Sequence, residues 1–162
     1  MTASRTTLTI KLDGDLFAIP AQCVREILDP IPITRVPGAP ASTAGLVNVR
    51  GRIVPLADLR ITFGLLLAPL GPESRIVVLE RVSEGQADLV AIIADQVQAV
   101  SDLEVDDIHE APKLGMRWPA ELIEGVVQKD GAFIYLPNLH RVFDTQDASV
   151  ASLATPEERT LS

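Results

Sequence analysis

Residues 45–63, GLVNVRGRIVPLADLRITF, and residues 125–143, GVVQKDGAFIYLPNLHRVF, are one unit written twice. At a constant offset of 80 the copies share Gly45/Gly125, Val47/Val127, Gly51/Gly131, Leu56/Leu136, Leu59/Leu139 and Phe63/Phe143. Matched types fill the gaps: Asn48/Gln128, Ile53/Phe133, Val54/Ile134 and Asp58/Asn138. A unit repeated at a fixed period signals a duplicated supersecondary structure, so two similar subdomains are expected. Within each copy, two β-rich runs flank a glycine able to take the positive φ of a tight hairpin. Asp58 is placed to cap a short helix, LRITFGL, ending near Gly64.

Upstream, LTIKLDGDLFAI (8–19) is a second hairpin, turning at Asp13-Gly14-Asp15 and stopped by Pro20. In AQCVREIL (21–28), Val24, Ile27 and Leu28 fall at helical spacing, which predicts a short helix or helical turn. Pro30, Pro32, Pro37 and Pro40 then keep the chain extended and irregular. Residues 65–74 read as a connector. RIVVLERV and DLVAIIAD follow as strands about a polar loop at Gly85, and AIIADQVQAV (91–100) echoes AIPAQCVREI (18–27) at an offset of 73. The offset grows to 80 by Gly125, so the second copy carries an insertion, assigned to residues 105–122. Trp118 in that insertion is expected to plug an edge of the second subdomain. Residues 144–162, rich in Thr, Ser, Asp and Glu, read as a loose tail.

About five short strands per half predict a mainly β fold: two small closed or near-closed barrels joined along an apolar seam, with short helices. The division expected is approximately 7–64 and 75–143 within one domain, 7–143, with strand exchange between the two halves allowed. Apolar residues make up 47% of the 162, but only four Phe, one Tyr and one Trp are present, so the core is aliphatic. A net charge of −8 disfavours nucleic acid and anionic membrane as partners. Cys23 is the single cysteine, which excludes an internal disulfide and suits a reducing compartment. Neither a signal-peptide core nor a membrane-spanning apolar run is visible, so a soluble, cytoplasmic protein is expected.

Chemistry is sparse. Gly45 and Gly51 precede no GK[ST], so the hairpin reading displaces a phosphate loop. EVDDIHE (104–110) matches no metal-ligand spacing and reads as a solvated acidic loop. Arg60 and His140 occupy matched positions and are expected on the outer face of their short helices. Cys23 is read as a small apolar residue. No catalytic constellation, metal or cofactor is expected. What stands out is Arg50 and Arg52 flanking a hairpin glycine in an acidic chain. Asp130-Gly131-Ala132 does the same turn without them, so the arginines are read as a recognition point.

The run GLVNVRGRIVPLADLRITFGL, preceded by FAIPAQCVREIL and ITRVPGAP, resembles the CheW family of chemotaxis coupling proteins. The second half agrees through IVVLE, LVAIIADQVQAV and IEGVVQKDGAFIYLPNLHRVF, so the resemblance covers roughly residues 7–143. It implies two five-stranded, SH3-like β-barrels around a shared core and no enzymatic activity. It further implies an adaptor linking the cytoplasmic tip of chemoreceptors to the regulatory domain of a CheA-type histidine kinase, recruited to membrane-associated arrays without inserting into the membrane. By the resemblance, Val24, Glu26 and Arg50 face the receptor, and Ile76 and Val100 face the kinase. The alternatives are an adaptor of a non-flagellar pathway serving type IV pili or surface sensing, a sink that binds kinase without receptor, and an enzyme acting in the cleft between barrels.

Overall fold

The computed structural model describes residues 3–38, 43–63, 65, 69–83, 85–111 and 119–143. Gly64, residues 112–118 of the insertion including Trp118, and the tail 144–162 lie outside the described residues. Ten strands form two five-stranded sheets. In chain order they are β1 (Ser4–Leu12), β2 (Asp15–Pro20), β3 (Val24–Leu28), β4 (Thr43–Val49), β5 (Arg52–Ala57), β6 (Arg75–Ser83), β7 (Gln86–Ala94), β8 (Gln96–Glu104), β9 (Ile123–Lys129) and β10 (Ala132–Pro137). Helix α1 (Leu59–Thr62) follows β5, residues 139–143 are likewise helical after β10, and 3-10 turns span Ala21–Cys23, Val105–Asp107 and Ala120–Leu122.

The sheets do not follow the halves of the sequence. One has the order β8-β1-β2-β10-β9, the other β3-β6-β7-β5-β4. The first is therefore built from both chain ends, and the second from residues 24–94. Taking β1–β5 and β6–β10 as the two copies, each sheet has two leading strands of one copy and three trailing strands of the other. The exchange is reciprocal: both sheets join the copies through a short parallel pair, β2 with β10 and β5 with β7. Neither 7–64 nor 75–143 contains a complete sheet, so the barrels interlock. They are called here the terminal and the central barrel.

Among the described residues, the segment that follows one edge strand of each sheet, β3 or β8, reaches the opposite edge strand through a single bridge. In the central barrel Thr34 and Leu46 exchange backbone hydrogen bonds of 2.9 and 2.8 Å; in the terminal barrel His109 and Val126 exchange two of 2.8 Å. The rest of each seam has no continuous ladder among the described residues, so the barrels are near-closed.

Strands alternate their side chains between two faces, and in the middle strands both faces are buried, which is why they read as unbroken apolar runs. Ile76 and Val78 on β6, with Ala91 and Ile93 on β7, fill the central barrel together with Val47, Val54 and Leu56. Their neighbours Val77, Leu79, Val90 and Ile92 point the other way, into a core shared with Leu8, Ile10, Phe17 and Ile19 of the terminal barrel. Phe17 stacks on Phe63 with centroids 5.1 Å apart, and Tyr135 leans on Phe17 at 5.8 Å. The terminal barrel has its own small interior of Ala18, Leu103, Val127, Ile134 and Leu136. The repeat now has a cause: Val47/Val127 and Leu56/Leu136 fill equivalent interiors, while Phe63/Phe143 meet in the shared core.

Two local expectations are corrected. Residues 21–28 are a 3-10 turn followed by a strand rather than a helix. A register shift between Val24 and Glu26 inserts a residue into β3. Val24 and Ile27 then oppose Leu79 and Val77, on one face at a spacing of three, which imitates a helix. Arg60 does not lie on the outer face of α1. It is 4% exposed, with Nη2 donating to Asp58 Oδ2 at 2.7 Å and Nη1 to Asp95 Oδ1 at 3.1 Å. Asp58 also caps α1, accepting from the Arg60 backbone N–H. His140, its counterpart, is exposed.

Candidate functional site

Three hairpins turn through two left-handed residues, as type I′ turns require: Asp13-Gly14 (φ 47° and 83°), Arg50-Gly51 (52° and 87°) and Asp130-Gly131 (53° and 80°). Aspartate, which tolerates positive φ, leads two of them. Arginine leads the third at a conformational disadvantage, so something other than the turn accounts for it. Asn48 Oδ1 accepts from the Gly51 N–H at 2.8 Å and steadies the loop. From this turn the Arg50 guanidinium reaches across to β3 and donates through Nε (2.9 Å) and Nη2 (2.6 Å) to Glu26 Oε1. That hydrogen bond, with the charge of Glu26, raises the Arg50 pKa further above its ordinary value. The guanidinium is solvent-exposed, so the pair contributes little to folding and chiefly presents charge.

Glu26 and Arg50 stand at the mouth of the central barrel, over a cavity of about 430 Å³ whose wall includes Val49, Arg52, Val78 and Leu89. Arg25, ion-paired with Glu80, completes the rim. No sequence motif marks Arg25 and Glu80; only the pairing of β3 with β6 brings them together. Val24 is not in this wall. Opposite Leu79, it is half-buried against the shared core, on the other face of β3. The structure thus unites two of the three residues expected to face a receptor and sets the third around the edge of the same strand.

The two residues expected to face a kinase separate. Val100 is 63% exposed on β8, an edge strand paired only with β1. Ile76 is fully buried inside the central barrel, opposite Leu28 and Ile93, and β6 is an interior strand. The expectation that Ile76 is a contact residue is therefore corrected: its apolar character serves the core.

Cys23 is partly buried, and burial, then the nearby Glu80 charge, pushes its thiol pKa up, which disfavours the nucleophilic thiolate. Among the described residues no group of three or more His, Cys, Asp or Glu side chains is placed to hold a metal ion. No described helix is long and apolar enough to cross a membrane. A second opening, about 610 Å³, enters the terminal barrel beside Thr7, Ala18 and Leu136, and the Arg5–Glu124 ion pair (2.7 Å) flanks it.

A duplicated, strand-exchanged pair of small barrels with a charged mouth on one and an exposed edge strand on the other defines a β-scaffold that offers surfaces for binding. Comparison with known proteins narrows this class. Residues 6–147 match the CheW-like domain, and the chain belongs to that family. It is 26% identical over 147 residues to the chemotaxis protein CheW of Rhizobium meliloti, covering 91% of this chain and 92% of the relative. It is 32% identical over 119 residues to protein FrzA of Myxococcus xanthus, covering 73% and 71%. Among solved structures it is similar to the scaffolding protein TtCheW from Thermoanaerobacter tengcongensis, with a TM-score of 0.77, 26% identity and coverage of 88% and 90%.

Proposed function

We propose that this chain is a non-enzymatic adaptor that couples chemoreceptors to a CheA-type histidine kinase on the cytoplasmic side of the membrane. The observation that carries the reading is the separation of two surfaces. The Glu26–Arg50 mouth belongs to the central barrel, and the Val100 edge belongs to the terminal barrel. Two partners can therefore sit on the molecule together. In this reading the helical receptor tip lies along β3, with Val24 supplying apolar contact and Glu26 and Arg50 fixing orientation, a helix-in-groove mode. The kinase regulatory domain takes the edge of β8 around Val100. Interfaces near the small end of the usual range, roughly 1,200 Å² in total, suit exchangeable binding. Signal passes only where the contacts differ between receptor states. The likeness to FrzA favours, as a second reading, the same coupling in a pathway with a non-flagellar output.

The test is a titration of a receptor hairpin fragment into the wild type and into the Val24→Asp and Arg50→Ala variants. Loss of receptor binding in both, with kinase binding kept, is expected. Unchanged receptor binding in a Val24→Asp/Arg50→Ala double variant contradicts the assignment of this surface.

A further inference from the structure

The pseudo-symmetry of the fold supplies an internal control for the charged mouth. The bulge in β3, where Val24 opposes Leu79 and Glu26 opposes Val78, recurs in β8, where Val97 opposes Ile10 and Ala99 opposes Thr9. The left-handed pair Arg50-Gly51 recurs as Asp130-Gly131 with φ values within a few degrees. Both mouths therefore share a bulged edge strand and a left-handed turn. Their side chains differ at four charged positions of the central one: Gln98 replaces Arg25, Ala99 replaces Glu26, Asp130 replaces Arg50 and Ala132 replaces Arg52. The fold does not demand these four charges.

Three of the four are already engaged within the molecule. Arg50 is held by Glu26 and Arg25 by Glu80. Arg52 is different: among the described residues it forms no ion pair, and it is exposed. It opposes Val49 in the β4–β5 ladder, so it shares the face of a residue that lines the cavity. The surroundings suit an acidic guest. Residues 24–94, which build the central barrel, hold seven arginines against seven carboxylates, so the whole net charge of −8 resides in the remaining chain. An anionic segment repelled by the molecule as a whole meets at this mouth three arginines against two glutamates, with Arg52 left as the unneutralised charge over apolar Val49 and Leu89.

We propose that the mouth of the central barrel receives an acidic, amphipathic helical segment, with Arg52 as the specificity residue that pairs with one of its carboxylates. The two internal ion pairs fix the rim, and Arg52 supplies the open fork of donors that a carboxylate accepts side-on. A neighbouring apolar side chain of the segment rests against Leu89 and Ala87. This rests on the receptor-tip reading above and adds to it the chemistry of recognition.

The probe is a recombinant receptor hairpin fragment from the same genome, titrated into the wild type, Arg52→Lys and Arg52→Glu at several salt concentrations. Heteronuclear NMR spectra check that each variant is folded, as is expected where the exposed Arg52 side chain forms no ion pair among the described residues. Expected are binding at least tenfold weaker for Arg52→Glu with a flatter salt dependence, a smaller, severalfold loss for Arg52→Lys, which keeps the charge but not the fork, and recovery of Arg52→Glu by a Glu→Arg or Asp→Arg change on the hairpin. Equal affinity and equal salt dependence for wild type and Arg52→Glu overturn the role of Arg52 and leave the receptor reading standing. A hairpin that fails to bind the wild type removes that reading and this inference with it.

Discussion

Gly45 and Gly125 open the repeated unit, and their role emerges only where each barrel closes. A β-carbon at Gly45 would lie 2.2 Å from the carbonyl oxygen of Thr34, the atom that accepts the closing hydrogen bond from Leu46, and φ there is +146°. At Gly125 it would lie 2.6 Å from Ile108 Cγ2 and 3.2 Å from the His109 carbonyl oxygen, beside the other closing bridge. Gly51 has a positive φ but open space around it. Gly45→Ala is therefore expected to cost about 3 kcal/mol or more, and Gly51→Ala only about 1 kcal/mol, in urea unfolding. Equal costs contradict the account of closure. The repeat of both glycines was plain in the sequence; their purpose was not, because the atoms they must avoid belong to segments 11 and 16 residues upstream that no local pattern links to them. Arg50 was legible for the opposite reason. An arginine where two sister turns carry aspartate is an oddity visible without coordinates.

At the scale of elements, the misreadings have one source: contacts made across the sheet. The bulge in β3 gives an apolar spacing of three and so mimics a helix. Arg60 looks like a surface residue because half of its ionic partnership, Asp95, sits 35 residues away at the corner between β7 and β8. Asp95 in turn accepts from the Asp13 N–H at 2.7 Å, and its own N–H donates to the Lys11 carbonyl at 2.9 Å. Helix α1 of the central barrel is thereby tied to the β1–β2 turn of the terminal one. Replacing Arg60 with Met leaves Asp58 buried without its cation, and the expected loss is about 3–5 kcal/mol in urea unfolding, the range for breaking rather than replacing a buried pair. A loss below about 1 kcal/mol would return Arg60 to the ordinary surface class. Ile76 is the converse case: an apolar residue in an apolar run, assigned to a surface by resemblance and claimed by the core.

At the scale of the molecule, the duplication and the two five-stranded barrels were legible, because equivalent interiors impose equivalent side chains on both copies. Strand exchange was legible as an option, but which strands cross over was not. The apolar pattern of β1 and β2 is satisfied equally by partners from their own copy or from the other, and only the tertiary pairing chooses. The consequence for function is mechanical. Each barrel contains strands of both copies, and the core between them is continuous, so the charged mouth and the Val100 edge are parts of one packed body. The central claim is that both surfaces work at once. It is tested most directly by sedimentation velocity of the protein mixed with a CheA-type regulatory domain and a receptor hairpin fragment, alone and together. The account predicts a ternary species heavier than either binary complex, lost with Arg50→Ala on the receptor side and with Val100→Asp on the kinase side. Mutual displacement of the two partners, with no ternary species at any ratio, would contradict it.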